Sequence, residues 1–178
     1  MRTVSRNEKE YVIVEGAGFI EELRKRGAEE VSARKTGCVL ARPSIPGEIV
    51  TTYTKNGNLE TEVVGIEGKM ILTRCDPSGK PVIDVFGHLN QWQPDRETFE
   101  RKYEFENMRV SDGFTRPRGE IQRFIRTDRD VVLILPWGEN GAPVEQTIDA
   151  GGWLNISNPG KIYGIADEEF RETYERCC

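Results

Sequence analysis

The sequence predicts an α+β fold that is mostly β: an N-terminal strand–helix followed by two β-meander-plus-short-helix repeats packed pseudo-symmetrically. Three observations predict it. Short β-branched and apolar runs recur along the chain, separated by Gly-bearing turns, whereas helical spacing is confined to a few brief stretches. Asn-Gly dipeptides stand at two places between strand-like runs, at Asn56-Gly57 and Asn140-Gly141. Finally, one short acidic helix is spelled twice, as "QPDRETFERKYE" (93–104) and "IADEEFRETYE" (165–175), with Phe99/Tyr103 and Phe170/Tyr174 in matching places.

The elements follow in order. "YVIVE" (11–15) is a β-branched strand, "GAG" is a turn, and "FIEELRKRG" (19–27) puts Phe19, Ile20 and Leu23 on one helical face. Gly27, after basic residues, stops that helix. The "GAG" is no dinucleotide fingerprint, because Glu21 occupies the sixth position and no second β-α-β half follows. Residues 29–47, with two prolines, read as a linker, so 1–46 is an N-terminal strand–helix and linker. The first repeat, 47–104, runs "GEIVTTYT", an Asn-Gly turn, "LETEVVG", a Gly turn, "KMILTR", a Gly-Lys turn, "PVIDVFG" and the helix. An arginine-rich connection fills 105–130. The second repeat, 131–178, gives "VVLILPW", Asn-Gly, "VEQTIDA", Gly-Gly, "WLNIS", Gly-Lys, "IYGIA" and the helix. On this alignment the first copy carries an insertion around "FGHLNQW" (86–92). Each helix is too short to stand alone. Its i, i+4 aromatic pair therefore reads as an anchor to a small sheet, with acids in the first turn favouring the helix dipole.

Composition limits the function classes. With 178 residues, 37% apolar and 31% charged, the chain is expected to be globular rather than disordered. A formal charge of −5 argues against general nucleic-acid binding, which needs basic residues to meet phosphates. No apolar run is long enough to span a bilayer and no secretion signal is legible, so a cytoplasmic location without membrane association is expected. Cys38, Cys75, Cys177 and Cys178 show neither C-x-x-C spacing nor a paired framework, which fits a reducing compartment. The terminal pair lacks both a C-a-a-X box and a polybasic approach, and reads as plain thiols rather than a lipid anchor.

"AGGWLNISNPGKIYGIADEEFRETYE" (150–175) resembles the PGDYG family, small uncharacterised proteins of bacteria and phages. Gly151 keeps the family's glycine, Trp153 stands for its tyrosine, and Tyr163, Glu168, Phe170 and Tyr174 fit the strand and the E-x-F-x-x-x-Y helix. Ala150 and Gly152 depart from the proline and aspartate of the tetrad. The first repeat resembles the pattern only loosely. The family brings no established activity, so the resemblance implies a fold. Its phage association implies a further expectation, sequestration of a host nucleotide signal in the host cytoplasm.

A catalytic constellation is hard to assemble. The single histidine, His88, lies in the inserted stretch beside Gly87 and Asn90, where a surface hydrogen-bonding role is the plain alternative to catalysis. Cys38, Cys75 and His88 have no metal-ligand spacing, and no phosphate loop occurs, so no metal and no cofactor are expected. Two basic clusters stand out against the acidic background. "FTRPRGEIQRFIRTDR" (114–129) carries Arg116, Arg118, Arg123 and Arg126, and "ARKTGCVLARP" (33–43) carries Arg34, Lys35 and Arg42. Arginine suits bidentate grip on phosphate or carboxylate, and an aromatic such as Trp137 can wall a pocket or stack a base. The competing reading makes these arginines surface ion pairs. The leading expectation is a non-catalytic binding protein for a small anionic, nucleotide-like molecule, with those seven basic residues and Trp137 as its site, and with homo-oligomers possible. One alternative is an enzyme acting on a nucleotide or nucleotide-sugar through His88, Trp92 and nearby acids. Another is a protein–protein interaction module offering its edge strands.

Overall fold

The computed structural model describes residues 1–6, 8–53, 57–136 and 138–177. In chain order the first elements are β1 (Thr3–Arg6), β2 (Lys9–Glu15), α1 (Gly16–Lys25) and β3 (Glu30–Lys35). Next come β4 (Cys38–Pro43), β5 (Ile49–Tyr53), β6 (Leu59–Val64), β7 (Met70–Cys75), β8 (Gln91–Trp92), α2 (Arg96–Lys102) and β9 (Phe114–Thr115). The chain closes with β10 (Ile121–Arg126), β11 (Val131–Leu135), β12 (Val144–Ile148), β13 (Trp153–Asn155), β14 (Tyr163–Ile165), α3 (Asp167–Thr173) and β15 (Tyr174–Cys177). Strand therefore dominates, as expected. These elements fall into two units, Met1–Arg34 with Ile121–Cys178, and Lys35–Glu120.

The first unit holds two sheets. One has the order β1-β2-β11-β12, in which β2 and β11 run parallel and the other neighbours antiparallel. The other has the order β14-β13-β10-β3-β15. Helix α1 starts at Gly16, so the "GAG" expected as a turn is its first turn. Gly27, at φ +73°, ends it in the left-handed region that glycine occupies without a Cβ penalty. Phe19, Ile20 and Leu23 are buried on its inner face. Around α3, Phe170 stacks on Trp153 with centroids 4.7 Å apart and on Tyr174 at 5.4 Å, and meets Phe124 edge-on at 5.0 Å. The Trp153 indole N–H donates to Asp167 Oδ1 at 3.0 Å, which fixes the first turn of α3 to the sheet.

The second unit holds the sheet β8-β7-β4-β9 and the hairpin β5–β6. Val39, Ala41, Met70, Leu72, Phe99 and Tyr103 form its core beneath α2, with Phe99 and Tyr103 stacked at 5.6 Å. Both short helices end two residues earlier than their pattern suggests. Tyr103 and Tyr174 are already extended, Tyr103 bridging to Pro117 and Tyr174 opening β15.

In chain order the first unit runs β1, β2, α1 and β3, then β10, the pair β11–β12, β13, β14, α3 and β15. The second runs β4, the pair β5–β6, β7, β8, α2, a 3-10 turn and β9, so that β10 to α3 and β4 to α2 follow the same order. Strand β13 is antiparallel to β10 and β14, and β7 is antiparallel to β4 and β8.

Three stretches differ from the sequence expectation. Residues 29–47 were expected as a linker and instead carry β3 and β4. Residues 105–130 hold a short 3-10 turn, β9 and β10, the last lying inside its sheet. Arginines hide the alternation of "IQRFIR": Gln122, Phe124 and Ile125 are buried, while Arg123 points outward. "PVIDVFG" forms no strand but makes the isolated bridges Cys75↔Pro81 and Ile83↔Leu89, the second closing a tight turn that Asp84 caps. At the second Asn-Gly turn, Asn140 (φ +54°) and Gly141 (φ +74°) both take positive φ. Asn56 of the first turn lies outside the described residues.

Candidate functional site

The basic residues divide between the units. Arg34, Arg123 and Arg126 belong to the first, and Lys35, Arg42, Arg116 and Arg118 to the second. Trp137 lies outside the described residues.

In the first unit, Arg123 pairs with Glu30 at 2.8 Å, and Glu30 also receives Arg24 at 2.7 Å. Those bonds, the one from Arg24 first, hold the Glu30 carboxyl below its usual range. Arg126 donates to the Gly151 carbonyl at 3.2 Å and approaches Glu29 and Asp167. Its guanidinium lies 5.5 Å from the Trp153 ring centre, and Arg176 lies 5.2 Å from the same ring. Arg34 points its Nε at the Cys177 sulfur, 3.5 Å away. A cleft of about 380 Å³ in this unit, lined among others by Val12, Val14, Glu15, Glu22 and Arg129, contains none of the expected site residues. Its two carboxylates make it a poor seat for an anion.

In the second unit, Arg118 makes a bidentate pair with Glu106, both bonds 2.6 Å, and Arg42 makes another with Glu48 at 3.0 and 2.6 Å. Each pair keeps its carboxyl below the usual range, chiefly through the arginine hydrogen bond. Lys35 holds its ammonium 4.6 Å from the Trp92 ring centre and 5.4 Å from that of Tyr103. Trp92 is half-buried and packs against the core cluster of this unit.

Arg116 differs from Arg42, Arg118, Arg123 and Arg126, each of which a carboxylate engages. Among the described residues it has no carboxylate within ion-pair distance, and its guanidinium lies 5.3 Å from the Phe114 ring centre. Arg109 lies by the same ring at 4.9 Å and is anchored bidentately by Asp112 at 2.8 and 2.6 Å. Asp112 also accepts the Phe114 N–H at 3.0 Å. The arginine hydrogen bond first, and this backbone bond second, bring the Asp112 carboxyl down to about 2. Gly113 makes the arrangement possible: at φ +76° its backbone lies against the Ala41 carbonyl, where a Cβ would collide. The turn at 76–80 comes close as well, with Gly79 facing Arg109 Nη2 and the Phe114 ring.

His88 occupies a second polar feature of this unit. Its Nδ1 lies 3.0 Å from Asp84 Oδ2, while Asp84 Oδ1 accepts the backbone N–H groups of Phe86 and His88 at 2.8 and 2.9 Å. Burial alone would push the Asp84 carboxyl up, but these hydrogen bonds outweigh it and hold it below its ordinary value. The imidazole stacks on Tyr53, centroids 3.7 Å apart and planes 10° from parallel. Sequence reasoning singled out His88 but not Asp84, Tyr53 or Phe86. The D-x-x-x-H spacing around a glycine was the available signal for Asp84. Nothing local announces Tyr53, which comes from another hairpin.

No family model matches the chain, and neither a curated protein nor a solved structure matches it. Among the described residues no cluster of three or more metal-ligating side chains occurs, and no helix is long and apolar enough to cross a membrane.

Proposed function

We propose that the chain is a non-catalytic binding protein for a small anionic ligand of the nucleotide class, and that Arg116 is the residue that grips it. One observation carries the reading. Arg42, Arg118, Arg123 and Arg126 are engaged by carboxylates, whereas Arg116 has no such partner among the described residues and lies over an aromatic ring beside a pre-anchored second arginine. A phosphate takes two parallel N–H donors from a guanidinium, and the Phe114 ring supplies an apolar wall beside them. The matching element order of β10 to α3 and β4 to α2 supports descent from a duplicated unit. Kinship with the PGDYG family, a cytoplasmic location and sequestration of a host nucleotide signal by a phage belong to the same proposal. Calorimetric titration with a panel of nucleotides and nucleotide-derived signals tests it. A ligand should bind the wild type, and Arg116→Ala should weaken it by roughly tenfold or more. A panel in which nothing binds, or an Arg116→Ala variant of unchanged affinity, refutes it.

A second reading, an enzyme acting on a nucleotide or nucleotide-sugar, is favoured by the Asp84–His88 pair. A carboxylate that holds Nδ1–H leaves Nε2 as the proton-accepting atom of a neutral imidazole. Incubation with the same panel separates the two. New product formed by the wild type but not by His88→Ala supports catalysis, and ligand recovered intact rejects it.

A further inference from the structure

We propose that Cys38 and Cys75 are a cross-strand dithiol that a small-molecule disulfide converts into an intramolecular Cys38–Cys75 bond. The sequence separates the two widely, but the register of β4 against β7 sets them directly opposite each other. The Arg74 N–H donates to Asn90 and its carbonyl accepts from Val82, so Arg74 turns its polar groups away from β4. The neighbouring Cys38–Cys75 pair is therefore of the hydrogen-bonded type, with α-carbons about 5.5 Å apart. Disulfides take about 4.4–6.8 Å at the α-carbons. Opposed β-carbons start at about 4.5–5.5 Å and a disulfide needs about 3.5–4.5 Å, so the strands must close by about 1 Å. That movement falls where the ladder yields most easily. Cys38 is the first residue of β4 and Cys75 the last of β7, followed at once by the turn at 76–80.

Both thiols are free and nearly inaccessible, at 7% and 5% exposure. Burial raises both, Cys75 to about 11, while Arg116 acts the other way on Cys38 and Arg109 on Cys75. Exchange is consequently slow near neutrality and quickens as pH rises and the thiolate fraction grows. The reaction is balanced thiol–disulfide exchange. One thiolate attacks a sulfur of the small disulfide and expels one small thiol. The second thiolate then attacks the protein sulfur of that mixed disulfide and expels the other, and the two cysteine protons end on the two small thiols. The protein dithiol is oxidised and the small disulfide is reduced. The bond would close a loop from residue 38 to residue 75 within the second unit.

The test uses the full chain carrying Cys177→Ser and Cys178→Ser, incubated with oxidised glutathione under native conditions. The expected result is a monomer lighter by two hydrogens, a Cys38–Cys75 cross-linked peptide on digestion, and a Tm higher by roughly 10 °C that dithiothreitol reverses. Cross-linking that requires denaturant, a mixed disulfide that persists on either cysteine, an intermolecular bond, or an oxidised protein of unchanged or lower Tm overturns the proposal. Replacing Cys38 by Ala in the same background serves as the second variant. With Cys75 as its only thiol it should show no Tm rise on the same treatment, and a rise equal to that of the parent overturns the proposal.

Discussion

Replacing Phe170 by Ala tests whether the closing helix is a core anchor. The ring is 2% exposed and touches Trp153, Phe124 and Tyr174, all of them buried. A buried aromatic withdraws about 150–250 Å² from water, which at about 25 cal/mol per Å² is about 4–6 kcal/mol as an upper bound. Alanine keeps part of that area, whereas the cavity left under α3 and the lost ring contacts add to the cost. The expected loss is about 4 kcal/mol, within the range seen for buried Phe→Ala changes, and lowers Tm by roughly 10 °C. Guanidinium unfolding followed by far-ultraviolet circular dichroism reads it, with Val110→Ala as the control because Val110 is 98% exposed. Loss of less than about 1 kcal/mol for Phe170→Ala would refute the anchoring argument, since the helix would then not depend on its ring for attachment.

Three further outcomes are expected. Asp112, held at about 2 by Arg109, contributes stability that is present above the ordinary aspartate range near pH 4 and is lost as pH falls toward 2. In Asp112→Asn that acid limb should flatten, as read by denaturation midpoints across the window. Tyr11 is buried and donates to Asp149 at 2.7 Å, and burial followed by that bond raises its phenol above the ordinary value. Its contribution is complete below about pH 10 and is lost as pH climbs beyond, so Tyr11→Phe should remove part of the alkaline destabilisation. Gly113→Ala combines a forbidden φ with a collision at the Ala41 carbonyl and should cost about 2 kcal/mol or more, whereas Gly27→Ala, at similar φ in open space, should cost less. Equal midpoints for the two variants would show that the close approach is unimportant.

Local pattern was enough to place α1, most strands of the two expected repeats and both aromatic-bearing helices, because hydrophobic spacing and turn residues act within a few positions, but each expected meander is split between two sheets. It also singled out His88 and the arginines as chemically notable. Tertiary structure decided the rest. Strands β3, β4 and β10 were obscured by prolines and arginines, since what makes them strands is their pairing with distant segments. The sequence alone could not rank the arginines: Arg118 and Arg116 stand two residues apart, yet Glu106 engages the first while the second lies over Phe114. For the same reason Cys38 and Cys75 read as unrelated until the antiparallel register of β4 and β7 set them face to face. Sequence determines which side chains are available, and long-range pairing determines which of them meet. Closing a loop between distant residues costs entropy that only the assembled sheet and core offset.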